Sequence, residues 1–426
     1  MKICMFTNTY LPHVGGVARS VSAFVEDLRG LGHKVLVIAP TFSGVEAGEN
    51  RQEGSYRIPS IQEFNGSDFS VRLPAPYFLA EQIEAFGPEL IHSHHPFLLG
   101  DTALRIARGG GLPLVFTHHT LYENYTHYVP FDSEAMKRFV INLATEYANL
   151  CEAVIAPSES VAAILRQRGV KQPVEVIPTG VDLDFFADGS GERCRRKLGI
   201  DREALVIGHV GRLAEEKNLP YLAEAVSMAL KRQKQARALI AGSGDAREKI
   251  QRIFKQHRVD GRVTFSTGTL KGTDLADAYR AMDLFVFASK SETQGLVLAE
   301  AMAAGVPVVA LDASGVREVL ADGRNGRMLE GEAAPENFAG AIVELLEDSE
   351  KRKRLGSAAL ETAERFSRRL AVKKLAEFYG RIIRQNGFHR IEEWETTGLE
   401  NIQRALKTEW ELLAEKFSAA SRAFED

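Results

Sequence analysis

Short, almost uninterrupted apolar runs recur along most of this chain, each followed by a longer stretch in which apolar residues return every three or four positions. Such runs, rich in β-branched and aromatic residues, read as strands buried on both faces, and the stretches between them read as amphipathic helices. In the first half the pattern predicts strands over Lys2–Phe6, Lys34–Ala39, Leu90–His92, Leu114–Thr117, Ala153–Ala156 and Val174–Ile177. The second half repeats it over Leu205–Val210, Ala238–Ala241, Arg262–Phe265, Leu284–Ala288 and Val308–Ala310. Helices such as Val17–Leu31 and Tyr221–Gln233 fall between them. This alternation predicts an α/β chain of two successive doubly wound units with parallel sheets. They are expected to face each other across a cleft and to bind at the carboxyl ends of their strands.

The strand pattern stops after Ile177, where Pro178-Thr179-Gly180-Val181-Asp182 leads into a polar stretch. The expected organisation is a first domain over 1–185, a second over 186–366, a helix over 367–385 and a tail over 386–426. In the tail, apolar residues recur from Leu399 at Ile402, Leu406, Trp410, Leu413, Phe417, Ala420 and Phe424, a narrow amphipathic seam. Both tryptophans, Trp394 and Trp410, lie in this tail. Its polar face is acidic, whereas a helix lying on a membrane favours Lys and Arg. The tail is therefore expected to dock on the body of the protein or to join two copies as a homodimer.

Composition narrows the class. Hydrophobic content of 45% and charged content of 26% are ordinary for a globular chain with a large core. Three cysteines, Cys4, Cys151 and Cys194, are an odd number without metal-type spacing, which points to a reducing cytoplasm. The N-terminus reads as a strand, and no apolar run approaches the ~20 residues that span a bilayer. The net charge of −4 is unevenly spread. Residues 1–190 hold 14 Lys/Arg against 21 Asp/Glu, residues 191–385 hold 34 against 27, and the tail holds 5 against 9. A basic second domain suits an anionic ligand. No block of like charge suggests nucleic acid.

The most informative segment is FVFASKSETQGLVLAEAMAAGVP, from Phe285 to Pro307. A strand ends, a loop carries Glu292, Gly295 opens a helix through Leu296 and Val297, and Glu300 sits inside that helix. Free N–H groups and the dipole at a helix start favour phosphate, while the two carboxylates can accept from sugar hydroxyls. The composite ligand is a nucleotide-sugar. Its leaving diphosphate needs cations, and Arg212 and Lys217 follow the strand ending at Val210. The plain alternative for that pair is surface ion pairing with Glu215 or Glu216. Gly15-Gly16 between the first strand and its helix, and Gly242-Ser243-Gly244 after another strand, would each let backbone approach a ligand, or serve only as tight turns. Of the adjacent His118 and His119, only one can face a given side of an extended segment, so a joint metal site is not expected. His92, His94 and His95 read as a cleft rim near the acceptor. Asp182-Leu183-Asp184 follows the interdomain turn and reads as structural.

The spacing Glu292…Glu300 with Gly295-Leu296-Val297 between them resembles the E-x7-E signature of retaining, family-4-type glycosyltransferases of the GT-B fold. Arg212 and Lys217 resemble that family's G-R-x(4)-K motif. The resemblance covers most of the chain, and the tail has no counterpart in it. It implies that Arg212 and Lys217 grip the donor diphosphate and that Glu292 meets the donor sugar. Glu300 would accept from the ribose, and His119 would bond a sugar hydroxyl. Gly16 and Gly244 would bring backbone to the donor, although Asp245 stands where the family commonly has proline. The base would be read by backbone near Leu270. The helix after residue 367 would cross back onto the first domain. The resemblance also implies a same-face displacement with no enzyme nucleophile, no metal and no cofactor beyond the nucleotide-sugar co-substrate.

The run from His119 to Pro130, with Tyr122, Tyr125 and Tyr128, resembles bacterial diacylglycerol glucosyltransferases. It implies an acceptor side in the first domain and a lipid acceptor, with UDP-glucose as the favoured donor. The mixed basic and apolar stretch Met136–Ile141 would make peripheral contact at the inner face of the membrane, although the acidic first domain argues against it. A soluble sugar or a polyprenyl-linked glycan is the alternative acceptor. A nucleotide-sugar epimerase and a binding protein without transferase activity share the fold and remain open.

Overall fold

The computed structural model describes residues 1–13, 15–42, 48–50, 54–61, 71–72, 77–124 and 133–386, and in the tail 408, 411–412, 414–416, 418–420 and 422. The chain folds as two compact units, Met1–Thr179 with Ala371–Asp426, and Gly180–Leu370. The strands of the first unit are β1 (Lys2–Phe6), β2 (Lys34–Pro40), β3 (Gly48–Asn50), β4 (Ser55–Ile58), β5 (Ser60–Ile61), β6 (Val71–Arg72), β7 (Leu90–Ser93), β8 (Leu114–Thr117), β9 (Ala153–Ala156) and β10 (Val174–Val176). Those of the second are β11 (Leu205–Val210), β12 (Ala236–Ala241), β13 (Val263–Phe265), β14 (Leu284–Phe287), β15 (Val308–Leu311) and β16 (Gly326–Leu329).

The first unit's main sheet has the order β10-β9-β8-β7-β1-β2-β4-β3, parallel except for β3, and β5 and β6 form a separate antiparallel pair. The second unit's sheet, β13-β12-β11-β14-β15-β16, is wholly parallel. Alternation along each strand feeds two cores, one per face. Cys4 and Phe6 of β1 join a core with Leu99, Ala103 and Leu104 of the helix Leu99–Gly110. Ile3 and Met5 join another core with Val21 and Phe24 of the helix Gly16–Gly30. Leu375, Phe378 and Tyr379 of the long helix Arg368–Gln385 belong to that second core. Likewise Phe285 and Phe287 of β14 face one core of the second unit, while Leu284 and Val286 face the other.

All eleven predicted strands are present, with ends shifted by no more than two residues. Five short strands, β3 to β6 and β16, had no distinct apolar signal. In β4 the cause is visible. Arg57 is 1% exposed, donates to the Leu11 carbonyl at 2.7 Å and lies over the Tyr10 ring at 5.0 Å, so a charged residue occupies an interior position. β16 is a half-buried edge strand with the sequence Gly-Arg-Met-Leu.

The tail docks on its own unit. Lys416 Nζ lies 2.7 Å from Asp101 Oδ2, Arg422 pairs with Glu146, and Leu412 enters the core that holds Leu99. Among the described residues of the tail, Thr408, Leu412, Glu415 and Ala419 are buried. Of the expected apolar seam only Ala420 is described, half-buried, while Trp394, Ile402, Leu406, Trp410, Leu413, Phe417 and Phe424 lie outside the described residues.

Candidate functional site

At the carboxyl end of β14 the chain turns through a loop into the helix Leu296–Ala303. Gly295 caps that helix with φ of +77°, and a Cβ there would lie 2.5 Å from the Gly315 carbonyl oxygen. A reciprocal constraint holds at Gly315, whose added Cβ would meet the Gln294 amide nitrogen at 2.6 Å. Only glycine fits either position, and the Gly315 amide donates to the Glu292 carbonyl at 3.0 Å. The loop is thereby fixed with Glu292 Oε1 accepting from the Gly295 amide at 3.2 Å. Leu296 and Val297 form the half-buried first turn, whose amides the helix itself leaves without partners.

Across from Glu292 stands Lys217, with Nζ 3.4 Å from Oε2 and both side chains mostly buried. It follows β11 in a single 3-10 turn, Glu215–Lys217, closed by Asn218 in the left-handed region at φ of +52°. Asn218 Nδ2 donates to the Ala288 carbonyl at 3.2 Å, and the Ser291 hydroxyl donates to the Glu216 carbonyl at 3.3 Å. These bonds tie the loops after β11 and β14 together. Arg212 pairs with Glu216, the surface-pair alternative raised by the sequence, and its side chain is 48% exposed while that of Glu216 is 6% exposed. Each cation thus has a carboxylate beside it.

Gly244, with φ of +148°, packs its backbone on this loop, since a Cβ there would lie 2.3 Å from the Leu213 carbonyl oxygen. Leu213 in turn donates its amide to the Ser243 carbonyl at 2.8 Å. Ser243 and Thr269 hydroxyls lie 2.7 Å apart, which brings the half-buried Leu270 segment to the same edge. Glu300 is 2% exposed and accepts from the Tyr279 hydroxyl at 2.7 Å through Oε2. Tyr279 and Gly315 were not singled out from the sequence, because both act through long-range contacts. Asp182, as expected, is structural, accepting from the Phe185 amide at 3.1 Å as a helix cap.

In the first unit Gly16 begins the helix Gly16–Gly30, and a Cβ there would meet nothing within 4 Å. The histidines correct one expectation. His92, His94 and His95 are 0%, 0% and 7% exposed, so they form an interior network and not a rim. His92 lies 2.7 Å from the Thr117 hydroxyl through Nε2 and 2.5 Å from the Tyr379 hydroxyl through Nδ1. His95 Nδ1 accepts from the Asn8 amide at 3.1 Å. His94 Nδ1 and His119 Nε2 are 2.9 Å apart. His118 turns the other way, against Phe116 and Tyr122. Desolvation lowers every one of these imidazoles, to about 3 for His92 and His95 and about 4 for His118, with His94 and His119 held well below the ordinary value. All are neutral at pH 7. Burial likewise raises the Tyr122 phenol, whose hydroxyl has no hydrogen-bond partner among the described residues. Tyr125 and Tyr128 lie outside the described residues. Among the described residues, no three His, Cys, Asp or Glu are grouped to hold a metal ion.

Residues 14–185 match the family described as Glycosyltransferase Family 4, and residues 191–362 match Glycosyl transferases group 1. An alpha-monoglucosyldiacylglycerol synthase from Streptococcus pneumoniae is 31% identical over 351 residues, spanning 81% of this chain and 78% of that protein. A GDP-mannose-dependent alpha-mannosyltransferase from Mycolicibacterium smegmatis is 30% identical over 362 residues, spanning 84% and 92%. Among solved structures, sucrose-phosphate synthase from Thermosynechococcus elongatus has a TM-score of 0.75 at 20% identity, covering 90% of this chain and 99% of that one. Anabaena HepE in complex with UDP-glucose has a TM-score of 0.71 at 21% identity, covering 89% and 100%. These two likenesses show the fold. With both halves matched, the chain belongs to the family 4 and group 1 glycosyltransferases: a retaining enzyme of the GT-B fold that takes its sugar from a nucleotide-sugar.

Proposed function

We propose that this glycosyltransferase moves glucose from UDP-glucose to a lipid hydroxyl, with diacylglycerol as the leading acceptor. The observation that carries the reading is the Lys217–Glu292 pair, locked by Gly295 and Gly315 beside the start of a helix. In this reading Arg212 and Lys217 leave their carboxylates for the donor diphosphate, helped by the amides of Leu296 and Val297. Glu292 then meets the sugar, and Glu300 receives the ribose hydroxyls. The backbone near Leu270 reads the base, and Gly16, Gly244 and His119 complete the donor contacts. The bond from C1 of the sugar to the phosphate oxygen breaks as that from C1 to the acceptor oxygen forms on the same face. The acceptor proton passes to the departing diphosphate. Arg212, Lys217 and the helix dipole carry the charge without a metal.

The lipid acceptor draws support from the glucosyldiacylglycerol synthase relative and from the helix Glu134–Leu150. There Met136, Phe139, Val140 and Ile141 are only half-buried beside Lys137 and Arg138, which suits a peripheral membrane contact. Among the described residues no helix is long and apolar enough to cross a membrane. We place the enzyme in the cytoplasm, at the inner membrane face. The mannosyltransferase relative supports a second reading, mannose transfer from GDP-mannose.

The test offers UDP-glucose, UDP-galactose or GDP-mannose with vesicles containing diacylglycerol, with a soluble sugar, or with no acceptor. A glucosylated lipid formed equally well in EDTA is the expected product. A glycosylated soluble sugar, or release of nucleotide and altered free sugar without acceptor, would overturn the lipid assignment. Loss of product in EDTA would overturn metal independence.

A further inference from the structure

Two loops at the carboxyl edge of the second unit's sheet are joined by a side chain that belongs to none of the donor motifs. Ser266 follows β13 and is 2% exposed, whereas Thr267, Gly268 and Thr269 beyond it are exposed and Leu270 is half-buried. Every polar atom of Ser266 is engaged. Its amide donates to the Ile240 carbonyl of β12 at 3.0 Å, which carries the β12–β13 ladder one step past its last residue pair. Its carbonyl accepts from Arg247 Nη1 at 3.0 Å, and the Arg247 guanidinium lies over the Phe265 ring at 5.0 Å. Its hydroxyl accepts from the Gly242 amide at 3.0 Å and donates to the Gly268 carbonyl at 2.8 Å.

The hydroxyl therefore holds two turns in one register. One is Gly242-Ser243-Gly244, itself pressed onto the loop after β11, since a Cβ at Gly242 would lie 1.9 Å from the Gly211 carbonyl oxygen. The other passes through Gly268, with φ of +76°, and leads to Leu270. The Ser243 and Thr269 hydroxyls also join these turns at 2.7 Å, but both residues are exposed and that bond competes with water. The Ser266 hydroxyl is shielded, so its bonds are the stronger constraint. We propose that Ser266 is a positioning residue for base selection, its buried hydroxyl setting the backbone of residues 268–270 against the turn that approaches the diphosphate. A base read by main-chain groups needs them at a set distance from the phosphates, because a planar peptide cannot swing to meet it as a side chain can. The proposal rests on the reading that the base is recognised near Leu270, whereas the bonds that join the two turns are independent of it.

The test titrates UDP, GDP and ribose 5-diphosphate, which lacks a base, into the full-length protein and Ser266→Ala. Hydrogen exchange of residues 266–271 is followed with and without each ligand. In the wild type, one nucleotide should bind more tightly than ribose 5-diphosphate and give the amides of residues 268–270 more protection. In Ser266→Ala, folded by its Tm, that preference should fall on the order of tenfold, the scale of one buried hydrogen bond, with ribose 5-diphosphate binding little changed. Ser266→Thr, which keeps the hydroxyl, should keep the preference. A folded Ser266→Ala with the wild-type preference, or with nucleotide and ribose 5-diphosphate weakened alike, overturns the proposal. If Ser266→Ala does not fold, Ser266→Cys, whose thiol is only a weak donor and acceptor, takes its place, and an unchanged preference there overturns the proposal equally. If the base adds neither affinity nor protection at residues 268–270 in the wild type, the base is recognised elsewhere, and the proposal falls with the reading beneath it.

Discussion

The two units put opposite chemistry at the same place on the same kind of sheet. After β11 and β14 of the second unit, charged side chains stand in pairs, Lys217 with Glu292 and Arg212 with Glu216. After β7 and β8 of the first unit stand buried imidazoles that desolvation keeps neutral, and the charged pair Glu123–Arg168 follows β8. A charge can wait in a protein only if it is solvated or paired, whereas a neutral hydrogen-bonding group tolerates burial once most of its polar atoms are satisfied. The charged kind of strand end suits a diphosphate, and the neutral kind suits hydroxyls.

Arg212→Ala gives the largest expected effect, a loss of about 10²-fold or more in kcat/KM, the scale for removing one transition-state charge stabiliser. A wild-type rate would make the Arg212–Glu216 pair a surface ornament and erase half of the contrast.

Acid should separate the units next. Histidine in an unfolded chain titrates near 6.5 and takes up protons that the buried rings refuse. Stability from the neutral rings is therefore complete above pH 6.5 and lost as pH falls toward about 4 for His118 and about 3 for His92 and His95. Each such ring costs about 1.4 kcal/mol per pH unit across that window. Among the described residues, five buried histidines with lowered pKa lie in the first unit, while in the second only His209, at about 4, is lowered. Hydrogen exchange from pH 7 to 5 should show protection falling faster in β7 and β8 than in β11 and β14. Equal losses would break the comparison.

The smallest effect concerns the tail and leaves turnover alone. Burial, with Asp101 and Glu146 nearby and Lys416 opposing, pushes the Glu415 carboxyl up to about 8, and among the described residues neither of its oxygens has a hydrogen-bond partner. A raised carboxyl costs nothing below its unfolded value of about 4.5 and carries its full penalty above pH 8, so stability from this site falls as pH rises. Glu415→Gln should stabilise the fold at pH 8.5, by on the order of a few kcal/mol or less, and leave Tm unchanged at pH 4.5. Equal stabilisation at both pH values would acquit the charge.

Much of this was legible in the chain. Continuous apolar runs such as Leu284–Phe287 allow only a buried strand in an α/β context. The Gly295 and Gly315 lock was half visible, because Gly295 marked the helix start while nothing marked its partner. Arg57 hid a strand, since local polarity gives no hint that Leu11 and Pro40 will supply carbonyls. The crowding of His92, His94 and His95 was visible, but its interior location was not.

By itself the sequence determined the two sheets, the family and the donor motifs, because these depend on periodicity and on residues close together along the chain. Only the tertiary structure decided what those motifs touch. It set Tyr279 on Glu300, Tyr379 on His92, His94 on His119 and a buried Glu415 in the tail. Each joins segments distant in sequence, and each depends on burial. Burial is a property of the packed molecule, and it decides whether an ionisable group is charged.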